Sequence, residues 1–424
     1  MIDVGNLIQG TRIHGSLYRD PSVFARELDA IWYKVWVYVG HESEIPRPGD
    51  FVRRAIGLQP VILVRGADGK IRVFFNRCRH RGNMVCHLEH GNAAAFRCPY
   101  HGWTYTNNGA LIEPTFSEGY DAGLRKEDFG LTPLPRVDSY RGLIFASVSP
   151  EGISLDEHLG GVKEFIDLFM DLSPSGEIDV RTGIQKLRYA GNWKFMPENS
   201  MEGDYHGPFI HKVAFALHSK RTGFDVSSLY KNEIPDVIRS IPGGHMVEDY
   251  RKATIEPPKR EPSPARQAYA AALERRYGPQ KAAQLLTTIA PLIYVFPNLL
   301  YLMTHIRVVQ PVSVDETYVY YQPVLLKDAP DEINVGRLRD HEFMFGAAGF
   351  ISPDDIEIME RNQIALHAAG NEWLFIGRGA HRDKVLPDGS SIGHTMDENH
   401  IRGFWQHYGR VMSLPAREPA RAGA

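Results

Sequence analysis

Cys78-Arg79-His80-Arg81-Gly82 and Cys98-Pro99-Tyr100-His101-Gly102-Trp103 are the two stretches whose reading decides the fold. Reduced to metal-binding side chains they read C-x-H, then seventeen residues, then C-x-x-H. Two thiolates and two imidazoles are thus offered as matched pairs from two tight turns. A Cys2His2 zinc site would use the same four, but zinc modules usually draw two Cys from one loop and two His from another. Here each loop supplies one of each.

That division suits two irons better than one zinc. If both Cys bind one iron and both His the other, the result is a Rieske [2Fe-2S] cluster, in which neutral imidazoles replace two thiolates and raise the reduction potential. Gly82 and Gly102 let backbone N–H groups turn toward sulfide and cysteine sulfur, and Pro99 stiffens the second turn. Any one of these His alone would read as a surface or hydrogen-bonded residue; the four in register do not. At this point the sequence resembles the Rieske non-heme iron oxygenases, specifically the large (alpha) subunits of the ring-hydroxylating class. The resemblance covers nearly the whole chain.

At 424 residues the chain can bury a large core and hold about two domains. Its 48 Lys and Arg against 51 Asp and Glu give a net charge of −3, with the cations scattered, which disfavours nucleic-acid binding. No apolar run approaches ~18 residues and no charged-then-apolar leader opens the chain, so a soluble cytoplasmic protein without membrane contact is expected. Two of the three Cys are assigned to metal, which leaves Cys86 alone as a small buried apolar residue and provides no disulfide framework.

Around the Cys/His loops the pattern is β. Val61 to Val64 and Ile71 to Phe75 flank Ala67-Asp68-Gly69-Lys70, a hairpin signal. Trp103 to Ile112 surrounds a second turn at Asn107-Asn108-Gly109, and Leu143 to Val148 reads as a closing strand. A small antiparallel domain at 41–155, with the cluster at its hairpin tips, is therefore expected. Before it, in the segment 1–40, Phe24, Leu28, Ile31, Trp32, Val35 and Trp36 recur at helical spacing between Pro21 and Val39. After it, Pro264 to Thr288 is Ala-rich and helical with a break at Gly278-Pro279, and Leu292 to Leu326 reads as antiparallel strands turning near Val314-Asp315-Glu316. Helices are expected at about 333–345, 353–369 and 400–413, the last with Phe404, Trp405, Tyr408, Val411 and Met412 as a core-facing stripe. Tyr250 to Arg266 is Pro-rich and charged and reads as a loop that either lies over the pocket or is mobile, and Pro415 to Ala424 reads as a frayed tail.

A second metal motif lies in Asn192-Trp193-Lys194-Phe195-Met196-Pro197-Glu198-Asn199-Ser200-Met201-Glu202-Gly203-Asp204-Tyr205-His206-Gly207-Pro208-Phe209-Ile210-His211. On a continuous helix, His206 and His211 would stand about 140° apart and could not share a metal. Gly207-Pro208 supplies a break. With Tyr205, Asn199 and the Asn-Trp-Lys element, the pair looks like the family's mononuclear iron motif. Two His and one carboxylate bind non-heme Fe(II) on one face and leave positions open for O2. Locally, Ser352-Pro353-Asp354-Asp355 is ordinary helix-start chemistry, with Ser352 as N-cap. The resemblance implies that Asp355 is the third ligand, with Asp354 as fallback. Many relatives carry an Asp three residues before the first iron His, where this chain has Gly203. Glu202, four before, matches the carboxylate spacing of choline-monooxygenase-like relatives and shares the helical face of His206, so the electron-transfer bridge between subunits is assigned to Glu202, with Asp204 as the alternative.

The resemblance implies an α+β protein: a small all-β Rieske domain at 41–155, and at 156–424 a catalytic domain with an antiparallel sheet flanked by helices, of the helix-grip (START-like) kind. The segment 1–40 would pack on the catalytic domain. It further implies NAD(P)H as an indirect electron source through a reductase, with or without a ferredoxin, since no G-x-G-x-x-G fingerprint opens a helix here. The implied reaction uses O2 to make a cis-dihydrodiol or a hydroxylated ring from an aromatic compound, an aromatic acid among the options. The implied route, from His101 of one subunit through Glu202 to His206 of the next, needs a homotrimer, with or without a small beta subunit (alpha3beta3). The alternatives are a monooxygenase or demethylase of a quaternary amine, a Rieske electron carrier whose second domain binds a partner, and a zinc-stapled binding protein.

Overall fold

The structure is a computed structural model that describes residues 4–121, 123–202, 205–223, 234–252 and 261–414. The chain divides into two compact units, Trp32–Leu155 and Met1–Ile31 with Asp156–Ala424.

The Trp32–Leu155 unit is built from short antiparallel sheets. Four strands run in the order Ile71–Phe75, Gln59–Arg65, Asp50–Ile56, His90–Asn92. Three more run Leu111–Glu113, Thr104–Thr106, Ala95–Arg97. The first expected hairpin forms with Gly69 at φ 77°, and the second with Gly109 at φ 93°, where an added Cβ would strike the Phe74 ring at 2.5 Å. Asn107 ties the turns together: its Oδ1 accepts from Ala67 N at 3.0 Å and its Nδ2 donates to Ala93 O at 3.1 Å. Phe51, Ile62, Phe74, Phe96 and Trp103 form a core that also takes in Cys86, as its apolar reading required.

One local expectation fails. Helical spacing holds through Pro21–Glu27 and a π turn over Leu28–Trp32, but Val37–His41 is a strand paired with Leu143–Ser147. All five of its residues are buried, so its apolar character reflects burial on both faces rather than a helical stripe.

The larger unit centres on a nine-stranded sheet with every neighbouring pair antiparallel. Its order is Gln185–Tyr189, Glu316–Pro323, His305–Ser313, Leu299–Leu302, Leu292–Val295, His245–Glu248, Ile238–Ile241, Ser391–Gly393, Lys384–Val385. The helix Asn399–Ser413 lies along it and buries Phe404, Trp405, Tyr408 and Met412, with Val411 at the edge of the stripe. Helices Pro264–Tyr277 and Pro279–Thr287 meet at the expected break, and Asp331–Met344 and Ser352–Ala365 follow. Most of the Pro-rich loop, 253–260, and the tail from Pro415 lie outside the described residues. No helix among the described residues is long and apolar enough to cross a membrane.

Several imidazoles among the described residues of this unit are held neutral by burial, His245, His305 and His400 most completely. Burial lowers His245 to about 4 and His400 to about 3, and drives His305 well below its ordinary value with help from Arg307. The unfolded chain binds protons at these positions below about pH 6.5 and the folded one does not, so their contribution is full above that pH and lost as pH falls. Buried Glu198, raised to about 7, acts in the opposite sense between pH 7 and 4.5, and one carboxyl is outweighed by three imidazoles. The melting temperature is therefore expected to drop by several °C between pH 7 and pH 5, measurable by scanning calorimetry.

Candidate functional site

The Asn192-Trp193-Lys194 element is structural. Asn192 Nδ2 donates to Tyr18 O and Val314 O at 3.0 and 2.8 Å, pinning the segment to the N-terminal helices. Lys194 and Glu27 form an ion pair with both side chains fully buried. Trp193 Nε1 and Tyr408 OH add hydrogen bonds to the same carboxylate at 2.8 and 2.6 Å. One turn on, Glu198 accepts from Tyr18 OH at 2.8 Å and from Trp405 Nε1 at 2.6 Å. These bonds seat the helix Phe195–Ser200, whose next residue in line, Asn199, points at the metal centre.

Past that helix the chain breaks as Gly207-Pro208 requires. His211 N bonds Gly207 O at 3.2 Å, and a new helix, Lys212–Thr222, begins with His211 as its N-cap. The turn swings the rings together: His206 Nε2 and His211 Nε2 are 3.1 Å apart. Asp355, in the first turn of Ser352–Ala365, places Oδ1 2.9 Å from His211 Nε2 and 3.4 Å from His206 Nε2. One ligand atom from each residue lies within 4.8 Å of the others, and among the described residues this is the set of His, Cys, Asp and Glu that converges as a single-ion site does. Asp354 instead approaches the outer nitrogen of His211, Nδ1, at 3.7 Å, with its side chain half exposed. Ser352 does not cap its helix; its hydroxyl donates to Phe345 O at 2.9 Å.

The environment fits a cation. Burial would raise Asp355, yet hydrogen bonds from His206 and His211 hold it well below the ordinary carboxylate range. Burial would lower His206, yet Asp355 and Glu202 push it up to about 10. Two imidazole nitrogens facing each other across one carboxylate oxygen call for a shared positive charge, which a metal supplies by displacing the proton. Glu202 Oε1 pairs with His206 Nδ1, and Asn199 Nδ2 donates to Asp355 Oδ1 at 3.2 Å. Tyr205 is partly exposed under the Arg378 guanidinium, 4.6 Å from its ring centre. Asp204, the alternative to Glu202, lies outside the described residues, as does Gly203.

The two Cys/His loops are near copies. In each, the Cys N–H donates 2.8 Å to a carbonyl five residues on, Asn83 or Trp103, and the Gly four residues on returns a 3.0 Å bond to the Cys carbonyl. Gly82 and Gly102 sit at φ 75° and 73°, a conformation strained for other residues. Cys78 and Cys98 are buried, while His80 and His101 are partly exposed with ring centroids 4.7 Å apart. His80 stacks on Trp103 at 5.0 Å, and Tyr105 OH lies 3.2 Å from Cys78 Sγ. Buried sulfurs beside partly exposed imidazoles suit two irons at different depths; the four side chains do not converge on one point as zinc would need.

A surface-near cluster and a buried two-His, one-carboxylate centre in one chain define the Rieske non-heme iron oxygenases. Residues 35–122 match the Rieske [2Fe-2S] domain, and residues 176–414 match the catalytic domain of the ring hydroxylating alpha subunit. The chain is 32% identical over 400 residues to the large subunit of 2-halobenzoate 1,2-dioxygenase from Burkholderia cepacia, covering 89% of this chain and 83% of that one. It is 32% identical over 419 residues to the alpha subunit of biphenyl 2,3-dioxygenase from Rhodococcus jostii, covering 95% and 89%. Among solved structures, naphthalene 1,2-dioxygenase from a Rhodococcus species superposes with a TM-score of 0.82 at 29% identity over 95% of each chain. The protein belongs to the ring-hydroxylating oxygenase alpha subunits: it is a terminal oxygenase with a Rieske [2Fe-2S] cluster and mononuclear iron, fed with NAD(P)H electrons by a reductase or ferredoxin. The electron-carrier and zinc alternatives fall with that match.

Sequence reading did not find Glu27, Tyr18 or Trp405 beside this site, since nothing local marks residues that act from 167 to 207 positions away. Two outcomes are expected. His206→Ala should lower iron from about three to about two atoms per chain while the cluster absorption survives, read by elemental analysis and visible spectra. Glu27→Ala, which strands the Lys194 charge, should destabilise the protein by about 3–5 kcal/mol in denaturant unfolding.

Proposed function

We propose that this chain hydroxylates an aromatic ring with O2, with His206, His211 and Asp355 holding Fe(II) and Cys78, His80, Cys98 and His101 holding the Rieske cluster. The observation that carries this reading is the convergence of His206, His211 and Asp355 on one point in a chain that also bears the twin Cys/His loops. When bound, the iron supplies O2 activation and the cluster supplies electrons one at a time. The relatives act on a halobenzoate, biphenyl and naphthalene, which supports an aromatic substrate and dioxygenation over a quaternary amine. The unit Trp32–Leu155 serves as electron relay, and the unit that starts again at Asp156 as catalyst.

The residues around the iron have separable tasks. Asn199 donates to the Asp355 oxygen and fixes which lone pair is left for metal, while the Asp354 carboxylate stands 3.7 Å from the far nitrogen of His211, close enough to add negative potential but not to hydrogen-bond it. Glu202 orients the His206 ring, leaving Nε2 toward the centre. Glu202 also lines a cleft of about 420 Å³ with Glu198, His206, Ile358, Glu398 and Ile401, so it can be approached from outside the iron site. We assign it as the bridge from His101 of one subunit to His206 of the next in a homotrimer, with or without a beta subunit. Dependence on NAD(P)H and on reduced cysteines supports a cytoplasmic setting for the enzyme.

Two experiments test this. Glu202→Gln should keep both metals and a reducible cluster while product formation falls by on the order of 10- to 100-fold, followed by single-turnover product mass; coupled turnover at the normal rate would remove the bridge. With 18O2 and a surrogate reductase, both oxygens of the product diol should carry label; one labelled atom would make the enzyme a monooxygenase.

A further inference from the structure

One charge near the His206, His211 and Asp355 centre has no counter-ion among the described residues. Arg307, on the strand His305–Ser313, is 1% exposed, and among the described residues no carboxylate pairs with it. Its partners are neutral: Nε donates to His305 Nε2 at 3.0 Å, Nη1 to Ser200 Oγ at 2.9 Å and to Met196 Sδ at 3.6 Å. Its guanidinium lies 4.6 Å from the Tyr321 ring centre and 5.3 Å from that of Phe345. A buried cation held by neutral groups alone is costly unless an anion joins it.

His305 points the same way. It is fully buried, and because Nε2 accepts from Arg307, its proton sits on Nδ1, which has no acceptor. Guanidinium and N–H donor stand side by side, and among the described residues neither meets an anion. A second guanidinium, Arg337, adds positive potential, since among the described residues its bonds run to the carbonyls of Val324 and Met303 at 3.1 and 3.2 Å.

The niche is joined to both elements that carry the iron residues. Ser200, which touches Arg307, follows Asn199, whose amide meets Asp355. Phe345, which stacks near Arg307, receives the hydroxyl of Ser352, the residue that opens the Asp355 helix.

We propose that Arg307, with the Nδ1–H of His305, anchors the carboxylate of an aromatic acid substrate and so sets its ring beside the His206, His211 and Asp355 centre. This rests on the reading of that centre as a ring-hydroxylating one. A planar carboxylate matches a guanidinium edge, and the Tyr321 and Phe345 rings make the surroundings suit an arene. A dianion such as phosphate would exceed the single free cation edge on offer. Arg307 is a specificity determinant here, since the iron residues do not depend on it for charge.

The test compares benzoate with toluene, rings of like size with and without the charge, on wild type, Arg307→Gln and Arg307→Lys. Benzoate but not toluene should raise the melting temperature of the metal-free wild-type chain, and Arg307→Gln should abolish the rise. In the loaded enzyme, Arg307→Gln should cut the kcat/KM ratio of benzoate to toluene by on the order of 100-fold with iron content unchanged. A wild type that prefers toluene, or a ratio unmoved by Arg307→Gln, overturns the proposal. Should Arg307→Gln lose iron, Arg307→Lys carries the test: a loss confined to benzoate supports the anchor, and an equal loss for both rings overturns it. If benzoate binding depends on Arg307 while neither ring is hydroxylated, the anchor stands and the oxygenase reading falls.

Discussion

The catalytic unit depends on one buried ion pair, Glu27 with Lys194. A pair with both ends out of water adds little net stability, because desolvation cancels most of the attraction. Its value is positional. Glu27 also takes bonds from Trp193 and Tyr408, so a helix near the N-terminus, the start of the iron motif and the last helix meet at one carboxylate. Glu198 repeats the arrangement one turn later with Tyr18 and Trp405. The short helix between them has little freedom left, and Asn199 at its end is aimed rather than merely near.

The cluster loops achieve their precision differently. There the backbone does the work, through the same pair of hydrogen bonds in both loops and a left-handed glycine closing each. The likeness is not complete: the Tyr105 hydroxyl accepts from Arg79 N at 3.1 Å and lies 3.2 Å from Cys78 Sγ, and among the described residues Cys98 Sγ has no such hydroxyl beside it. A hydrogen bond to a ligating sulfur lowers its electron density, a standard means of raising a cluster's potential.

What was legible in the sequence was what is local. Both Cys/His loops, the two hairpin turns, the break at Gly207-Pro208 and the Leu292 to Leu326 strands carry their instructions within a few residues. Asp355 was not legible in that way, because acids in a first helical turn look alike whether or not they bind metal; only the family pattern separated it from Asp354, and in the fold Asp355 faces His211 Nε2 at 2.9 Å while Asp354 faces Nδ1 at 3.7 Å. The Val37 strand was missed because burial on both faces erases the period that tells strand from helix. Glu27 and Arg307 were beyond reach for a third reason: their meaning lies in partners 167 and 107 positions away.

The N-terminal helices have a practical bearing on how the protein is cut. The two recognisable domains span residues 35–122 and 176–414, so Tyr18 and Glu27 fall outside both and invite removal as dispensable. Trimming there would strip the acid from beneath Lys194 and the phenol from Glu198 while sparing every side chain proposed to hold metal. Such a shortened version would keep its full complement of liganding side chains and lose the scaffold that aims them.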